Sequence, residues 1–354
     1  MRLNGPILLI RTGALGDQVL FTAVVAALAD HHDQPVDVLT NGGFADQALA
    51  GMAEIGLLFA VAHRRRPAWL APDLLLLARQ LARRGYAEAY AFDRVPVVEQ
   101  VLAASGTRIH TELESGQTHC LDHFASVLTR LGVAVPQPFL PRVAVRADDR
   151  RAAHDLLQRH GLAGRPVIAI QPGNSRTLHP FHRLRPQRNL KSWPTASWSA
   201  VIPRLAERHP EAVFALVGAP SEWSVCHAVR ADLPDTLQRR VANLASELPI
   251  RTLAGLLDGA FGCLSVDTGP AHLAAAVGCP LVVLFGPADP RAMAPRGPAP
   301  VRTVVSGVAC SPCYGTAART ACRDNVCMRA LGVDAVLSAW NDVMTIRTGV
   351  RIPA

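Results

Sequence analysis

The sequence predicts an α/β protein made of two doubly wound, Rossmann-like domains. Its 354 residues exceed the usual size of one domain, and 49% of them are hydrophobic while only 18% are charged. Short aliphatic runs that are typical of buried parallel strands alternate with helical patterns, and the alternation occurs twice. We therefore expect two parallel sheets, each covered by helices on both faces.

The first domain is predicted over residues 1–160. It opens with the strand Ile7–Ile10, a glycine turn and a helix over residues 18–29. Three more strands are predicted at residues 36–40, 57–61 and 87–92, and helices at 73–84 and up to about residue 160. The Pro-rich stretch from residue 136 and the charged residues after it indicate the connection to the next domain.

The second domain is predicted over residues 161–330, with a Cys-rich loop at 310–327. Its predicted strands are Val167–Gln171, 213–218, Gly262–Val266 and Leu281–Phe285, and its predicted helices are Thr195–Arg208, 222–232, 250–259 and 270–277. The tail, residues 331–354, contains a helical pattern that we expect to cross back onto the first domain.

The chain is basic. Lys and Arg number 36 against 28 Asp and Glu, which gives a net charge of +8 and a pI near 9.5. Such a charge favours an anionic partner, although an Arg-rich proteome explains it equally well. Because no helix-turn-helix, zinc-finger or aromatic RNA-binding pattern accompanies the charge, we do not expect nucleic-acid binding.

The N-terminal residues contain one strand-length apolar run and no signal-peptide pattern. The most apolar stretch, residues 273–285, is shorter than a membrane span and is interrupted by Gly278 and Pro280. We therefore expect a cytoplasmic protein without a transmembrane segment.

Polar residues follow two of the predicted strands, where doubly wound sheets bind ligands. After the first strand come Gly13, Gly16 and Asp17. The glycines allow a ligand to approach the backbone, and Asp17 is either a helix cap or a site residue. After residue 218, Glu222 could accept hydrogen bonds from ribose hydroxyls, although a Glu in a first helical turn is also common for dipole reasons.

A third strand end continues into Asp267, Thr268 and Gly269, and Pro270 then opens a helix that contains His272. Backbone amides and the positive end of the helix dipole suit a diphosphate at such a position. The alternatives remain open, since Asp267 and Thr268 can be simple caps and His272 a packed helix residue.

Two further segments carry candidate chemistry. A long insertion between residues 172 and 193 contains Arg183, Arg185 and Arg188, and it either binds a phosphorylated acceptor or an anionic membrane surface or is a solvated loop. Four cysteines crowd into the Cys-rich loop and either hold a structural zinc or iron or stay reduced and unliganded: Cys310, Cys313, Cys322 and Cys327.

Several blocks in this order resemble glycosyltransferase family 9, the ADP-heptose:lipopolysaccharide heptosyltransferases. The resemblance spans roughly residues 7 to 340 and is carried by Leu15-Gly16-Asp17, Lys191-Ser-Trp193-Pro194, the segment from Val266 to Leu273, Phe285-Gly286-Pro287 with Asp289-Pro290, and Cys310-Ser-Pro-Cys313.

This resemblance implies a GT-B fold, in which two Rossmann-like domains face a central cleft, and an inverting heptosyl transfer. It implies that the second domain holds an ADP-sugar donor and that the first binds an anionic lipopolysaccharide core. Asp17 matches the proposed catalytic base of the family. The residues that match donor-binding positions are Lys191, Glu222, Asp267, Thr268, Gly269 and His272. The resemblance implies no cofactor for catalysis.

Two alternatives stay open at this point. One is a family-9-like transferase that uses another nucleotide sugar, or a protein or small-molecule acceptor. The other is a non-catalytic metal-binding protein, which the four clustered cysteines suggest.

Overall fold

The computed structural model of the chain describes residues 5–61, 72–111, 118–174 and 190–348. The chain divides into two compact units, Met1–Ala144 and Val145–Ala354. Each unit has one parallel sheet. In the part of the chain that is described, no helix is both long and apolar enough to span a membrane.

The first unit contains a five-stranded sheet in the order β3-β2-β1-β4-β5. Its strands are β1 (Ile7–Ile10), β2 (Val36–Thr40), β3 (Ile55–Ala60), β4 (Glu88–Ala91) and β5 (Arg108–Thr111). Its helices are α1 (Leu15–His32), α2 (Phe44–Leu49), α3 (Pro72–Arg83), α4 (Pro96–Ala104) and α5 (Cys120–Arg130). Strand β1 is central and fully buried because aliphatic residues occupy all four positions.

The second unit contains a six-stranded sheet in the order β11-β10-β9-β6-β7-β8. Its strands are β6 (Val167–Gln171), β7 (Val213–Leu216), β8 (Val241–Asn243), β9 (Gly262–Val266), β10 (Leu281–Phe285) and β11 (Val301–Val305). Its longer helices are α6 (Ala147–Arg159), α7 (Thr195–Arg208), α8 (Trp223–Ala231), α10 (Ile250–Asp258), α11 (Gly269–Ala276) and α15 (Val333–Thr348). Its short helices are α9 (Asp235–Gln238), α12 (Pro290–Met293), α13 (Ala317–Ala321) and α14 (Val326–Arg329).

In each sheet, successive strands are added toward one edge and then, from one point on, toward the other edge. In the first sheet this point lies between β1 and β4, and in the second it lies between β6 and β9. The register sets Leu9 opposite Tyr90 and Ala169 opposite Cys263. The segments that follow these four strands therefore lie where open parallel sheets bind ligands.

The boundary between the units lies after Ala144 and not near residue 160. Helix α6 belongs to the second unit because it packs against α10. Gly255 allows this packing, since a Cβ atom there would lie 2.3 Å from the carbonyl oxygen of Asp149. The Arg251 guanidinium also forms an ion pair with Asp149.

The C-terminal helix α15, which the sequence predicts to cross to the first domain, packs against β10, β11 and α7 of the second unit. Val336, Leu337 and Trp340 are buried in that unit's core. The Trp340 indole N–H donates a hydrogen bond to Nε2 of His209 at 3.0 Å. Helix α15 is thus an integral layer of the second unit.

Candidate functional site

Asp17 lies in the first turn of α1, directly after the glycine turn that follows β1. Its Oδ2 accepts a hydrogen bond from the Ala14 amide at 2.8 Å, so Asp17 does cap the helix. The Asp17 side chain is nevertheless 28% exposed. One carboxylate therefore closes the helix and still remains accessible from solvent.

Gly13 makes room for this carboxylate. Its φ of +149° lies in a region that side chains disfavour, and a Cβ atom there would lie 2.7 Å from Oδ2 of Asp17. Gly16 is buried in the first turn of α1. Both glycines noted in the sequence therefore lie next to Asp17.

Arg11, which the sequence analysis did not single out, is the closest described cation to Asp17. It is only 4% exposed, and its Nη2 lies 3.5 Å from Oδ1 of Asp17. Its Nη1 donates to the Phe92 carbonyl at 3.3 Å and lies 3.9 Å from Oδ1 of Asp93. Oδ2 of Asp93 accepts a 2.8 Å hydrogen bond from the Thr12 amide. Two carboxylates therefore balance one buried guanidinium where the first sheet reverses.

In the second unit, Lys191 and Asp267 meet beside the N-terminus of α11. Nζ of Lys191 lies 2.5 Å from Oδ2 of Asp267 and donates to its carbonyl oxygen at 3.2 Å. Thr268 is the N-cap residue of α11, and its side chain forms no capping hydrogen bond. Gly269 begins the helix, and His272 is buried within it. The structure thus brings the predicted lysine to the predicted diphosphate turn.

Glu222 is buried at the carboxyl end of β7 and is 4% exposed. Its Oε2 accepts hydrogen bonds from the Ala219 amide at 2.6 Å and from Nε2 of Gln171 at 3.2 Å. Burial raises the pKa of Glu222, although both hydrogen bonds act in the opposite direction.

Two glycines enclose the Glu222 side chain. Cβ atoms at Gly173 and Gly218 would lie 2.9 Å and 2.8 Å from it. Gln171, another residue that the sequence analysis missed, pairs with Ser265 in the sheet register. It therefore joins the Glu222 segment to the strand that leads to Asp267.

The structure gives no support to the predicted metal site. Among the described residues, which include all four clustered cysteines, no group of His, Cys, Asp or Glu side chains is arranged to hold a metal ion. Cys310 is exposed, whereas Cys313 and Cys327 are buried. Burial, and after it the neighbouring thiols of the same cluster, raises the pKa of both buried thiols. The prediction of zinc or iron at Cys310, Cys313, Cys322 and Cys327 is therefore unsupported by this structure, and the alternative of reduced, unliganded cysteines stays open.

The basic insertion cannot be compared with the structure. Arg183, Arg185 and Arg188 lie outside the described residues. Lys191, just beyond that gap, is described.

The polar residues that the sequence analysis missed have one sequence feature in common. Arg11 and Asp93 follow β1 and β4, and Gln171 ends β6, so each lies at the carboxyl end of a central strand. A search for every polar residue at a strand end would have found all three.

The comparisons with known proteins agree with this geometry. A model of the family described as "Glycosyltransferase family 9 (heptosyltransferase)" matches residues 104–322, which is more than half of the chain. The chain belongs to glycosyltransferase family 9. This membership makes it one of a family of glycosyltransferases, as the sequence resemblance predicts.

Two curated family-9 relatives match a shorter segment. Lipopolysaccharide heptosyltransferase 1 of Pseudomonas aeruginosa is 35% identical over 130 residues, which cover 35% of this chain and 32% of that protein. Lipopolysaccharide heptosyltransferase 3 of Escherichia coli is 32% identical over 130 residues, or 37% of this chain and 34% of that protein. The match thus spans about a third of the length of these relatives.

Solved structures match over nearly the whole chain. A family-9 glycosyltransferase from Veillonella parvula has a TM-score of 0.79 at 16% identity and covers 98% of this chain and 99% of that one. The Escherichia coli ADP-heptose lipopolysaccharide heptosyltransferase II has a TM-score of 0.73 at 18% identity, with 97% and 99% covered. The predicted fold class, two doubly wound α/β domains of the GT-B type, is confirmed.

Proposed function

We propose that this family-9 protein transfers a heptose from ADP-heptose to a hydroxyl group of a lipopolysaccharide core, with inversion at the anomeric carbon. The observation that carries the proposal is the Lys191–Asp267 pair beside the N-terminus of α11. A lysine next to a helix N-terminus suits a diphosphate leaving group. The names of the relatives support heptose as the sugar and lipopolysaccharide as the acceptor.

The donor's ribose is assigned to Glu222. A buried carboxylate with two amide donors on one oxygen has its other oxygen available for hydroxyl groups. We assign the diphosphate to Lys191, Thr268 and Gly269, and further donor contacts to Asp267 and His272.

Asp17 is the base in the proposed reaction. Its carboxylate accepts the proton of the acceptor hydroxyl while that oxygen forms a bond to the anomeric carbon. The bond from that carbon to the diphosphate oxygen breaks, and ADP leaves with the electron pair. Lys191 and the first-turn amides of α11 stabilise the charge that develops on ADP.

The assignment of the acceptor contacts is based on the sequence. A lipopolysaccharide core is anionic, and the chain carries a net charge of +8. We assign contacts with the acceptor or with the membrane surface to Arg183, Arg185 and Arg188. This assignment implies that the protein acts at the inner face of the cytoplasmic membrane.

The proposal is tested by a panel of donors. ADP-heptose, ADP-glucose, UDP-glucose and GDP-mannose are supplied in turn with a heptose-free core oligosaccharide, and nucleoside diphosphate release is measured. We expect a kcat/KM for ADP-heptose about 100-fold or more above the others, together with dependence on the acceptor. Preference for a UDP- or GDP-sugar would refute the donor assignment.

A further inference from the structure

The exposed ring of Tyr314 contacts two cations beside the proposed donor site. The guanidinium carbon of Arg319 lies 4.0 Å from the ring centroid, and Nζ of Lys191 lies 5.5 Å from it. Tyr314 is 45% exposed. Tyr314 therefore links the proposed phosphate-binding lysine to a second positive charge.

The position of Tyr314 is fixed by the sheet. The amides of Cys313 and Tyr314 both donate to the Pro287 carbonyl at 2.9 Å, and Oγ of Ser311 donates to the Gly286 carbonyl at 2.6 Å. Gly286 and Pro287 directly follow β10, which pairs with β9. The turn that carries Tyr314 is thus attached to the same edge of the sheet as Asp267.

At this edge of the sheet, one cation is not balanced by a described carboxylate and could pair with an anion. The ammonium of Lys191 is already paired with Asp267, whose side chain is 8% exposed. A diphosphate carries more than one negative charge, so it needs a further cation. Arg319 forms no ion pair with any described carboxylate. Its Nε is buried and has no hydrogen-bond partner in the described ranges.

We propose that Arg319, held against the Tyr314 ring, is a second counter-charge for the diphosphate of the donor. This inference rests on the proposed function, because its ligand is the diphosphate of a sugar nucleotide. A guanidinium that stacks on a ring keeps its N–H groups free in its own plane, where they can bind two phosphate oxygens. Arg319 would thereby hold the diphosphate and stabilise it as it leaves.

Inorganic pyrophosphate is the probe, because it carries the diphosphate without nucleoside or sugar. Its Kd is measured by calorimetry on the full-length protein and on Arg319→Gln, Arg319→Lys and Arg323→Gln. Arg323 is an exposed arginine nearby in sequence, so its variant removes the same charge away from the ring. We expect Arg319→Gln to weaken binding about tenfold, Arg319→Lys to retain part of it, and Arg323→Gln to match the unsubstituted protein.

A Kd that is unchanged in Arg319→Gln, or that rises equally in Arg323→Gln, would overturn the inference. So would an unsubstituted protein that does not bind pyrophosphate. Melting temperatures show whether each variant is folded, and Tyr314→Ala provides a second test, since loss of the ring should also weaken binding. ADP-heptose turnover is measured separately. Pyrophosphate binding through Arg319 without heptosyl transfer would support this subsite and refute the proposed function.

Discussion

At the scale of single residues, Asp17 caps a helix, and this cap is compatible with the role of base that we propose for it. One carboxylate oxygen caps α1 through the Ala14 amide, and the other lies 3.5 Å from the buried Arg11. A cap fixes the orientation of the side chain, and a fixed orientation is what a base needs to meet a substrate hydroxyl.

Asp17→Asn should lower kcat by about 100-fold or more, because an amide cannot accept the proton although it retains the capping oxygen. The KM for ADP-heptose should change little. The matched control is Asp30→Asn, at an exposed position near the other end of α1. A kcat near that of the unsubstituted enzyme would remove Asp17 from the role of base.

The raised pKa of Glu222 predicts that donor binding depends on pH. Burial raises the pKa of this carboxyl above its ordinary value of 4.5. The ionised form accepts hydrogen bonds from ribose best, so ADP affinity should be constant at neutral pH and fall as the pH drops through the raised pKa. Glu222→Gln should bind ADP more weakly and lose this dependence.

The measurement is the Kd of ADP from pH 8 down to the lowest pH at which the protein stays folded. Glu207→Gln, at an exposed position on α7, is the control and should retain the pH profile of the unsubstituted protein. An unaltered profile in Glu222→Gln would show that another group titrates.

Sequence patterns located the site residues only in part. Asp17, Glu222 and Asp267 could be predicted because each follows an apolar run that reads clearly as a strand. Arg11 also lies at a strand end, but its burial between two carboxylates could not be predicted, since an exposed arginine beside a strand looks the same in the sequence. The spacing of the four cysteines likewise does not determine which thiols become buried.

At the scale of helices and strands, the central strands were all predicted, whereas β3 alone was predicted among the edge strands of the two described sheets. The predicted and observed bounds agree for β1, β6, β9 and β10, where aliphatic side chains are buried on both faces. The prediction missed β5, β8 and β11, and all three are edge strands. An edge strand has one neighbour and partly exposed faces, so β5 (Arg-Ile-His-Thr) carries almost no apolar signal.

The packing of α6 against α10 gives a prediction about stability. Gly255→Ala should lower the free energy of unfolding by about 1–3 kcal/mol, because the new Cβ would meet the Asp149 backbone. At Gly259, at the end of the same helix, the nearest atoms to a Cβ would be 3.9 Å away. Gly259→Ala should therefore change stability by less than about 1 kcal/mol.

Chemical denaturation of the two variants checks this contrast. If Gly255→Ala were as stable as Gly259→Ala, the close approach of α6 and α10 would not be the contact that joins α6 to the second unit. The Pro-rich stretch indicates the connection in the sequence, but only the packing of α6 against α10 assigns that helix to the second unit and places the boundary after Ala144.

At the scale of the whole molecule, each unit supplies one part of the proposed reaction. The first contains Asp17 where its sheet reverses. The second contains Asp267, paired with Lys191, where its own sheet reverses, and Glu222 after the neighbouring strand β7. The double βα alternation locates these strand ends, and the residues that lie there indicate the chemistry.

The most direct test of the central claim is the structure of the product. The protein is incubated with ADP-heptose and a heptose-free lipopolysaccharide core, and the product is analysed by mass spectrometry and by NMR of the anomeric position. We expect one added heptose, linked through an anomeric centre inverted relative to the donor. An unmodified core, or a linkage that retains the donor's configuration, would contradict it.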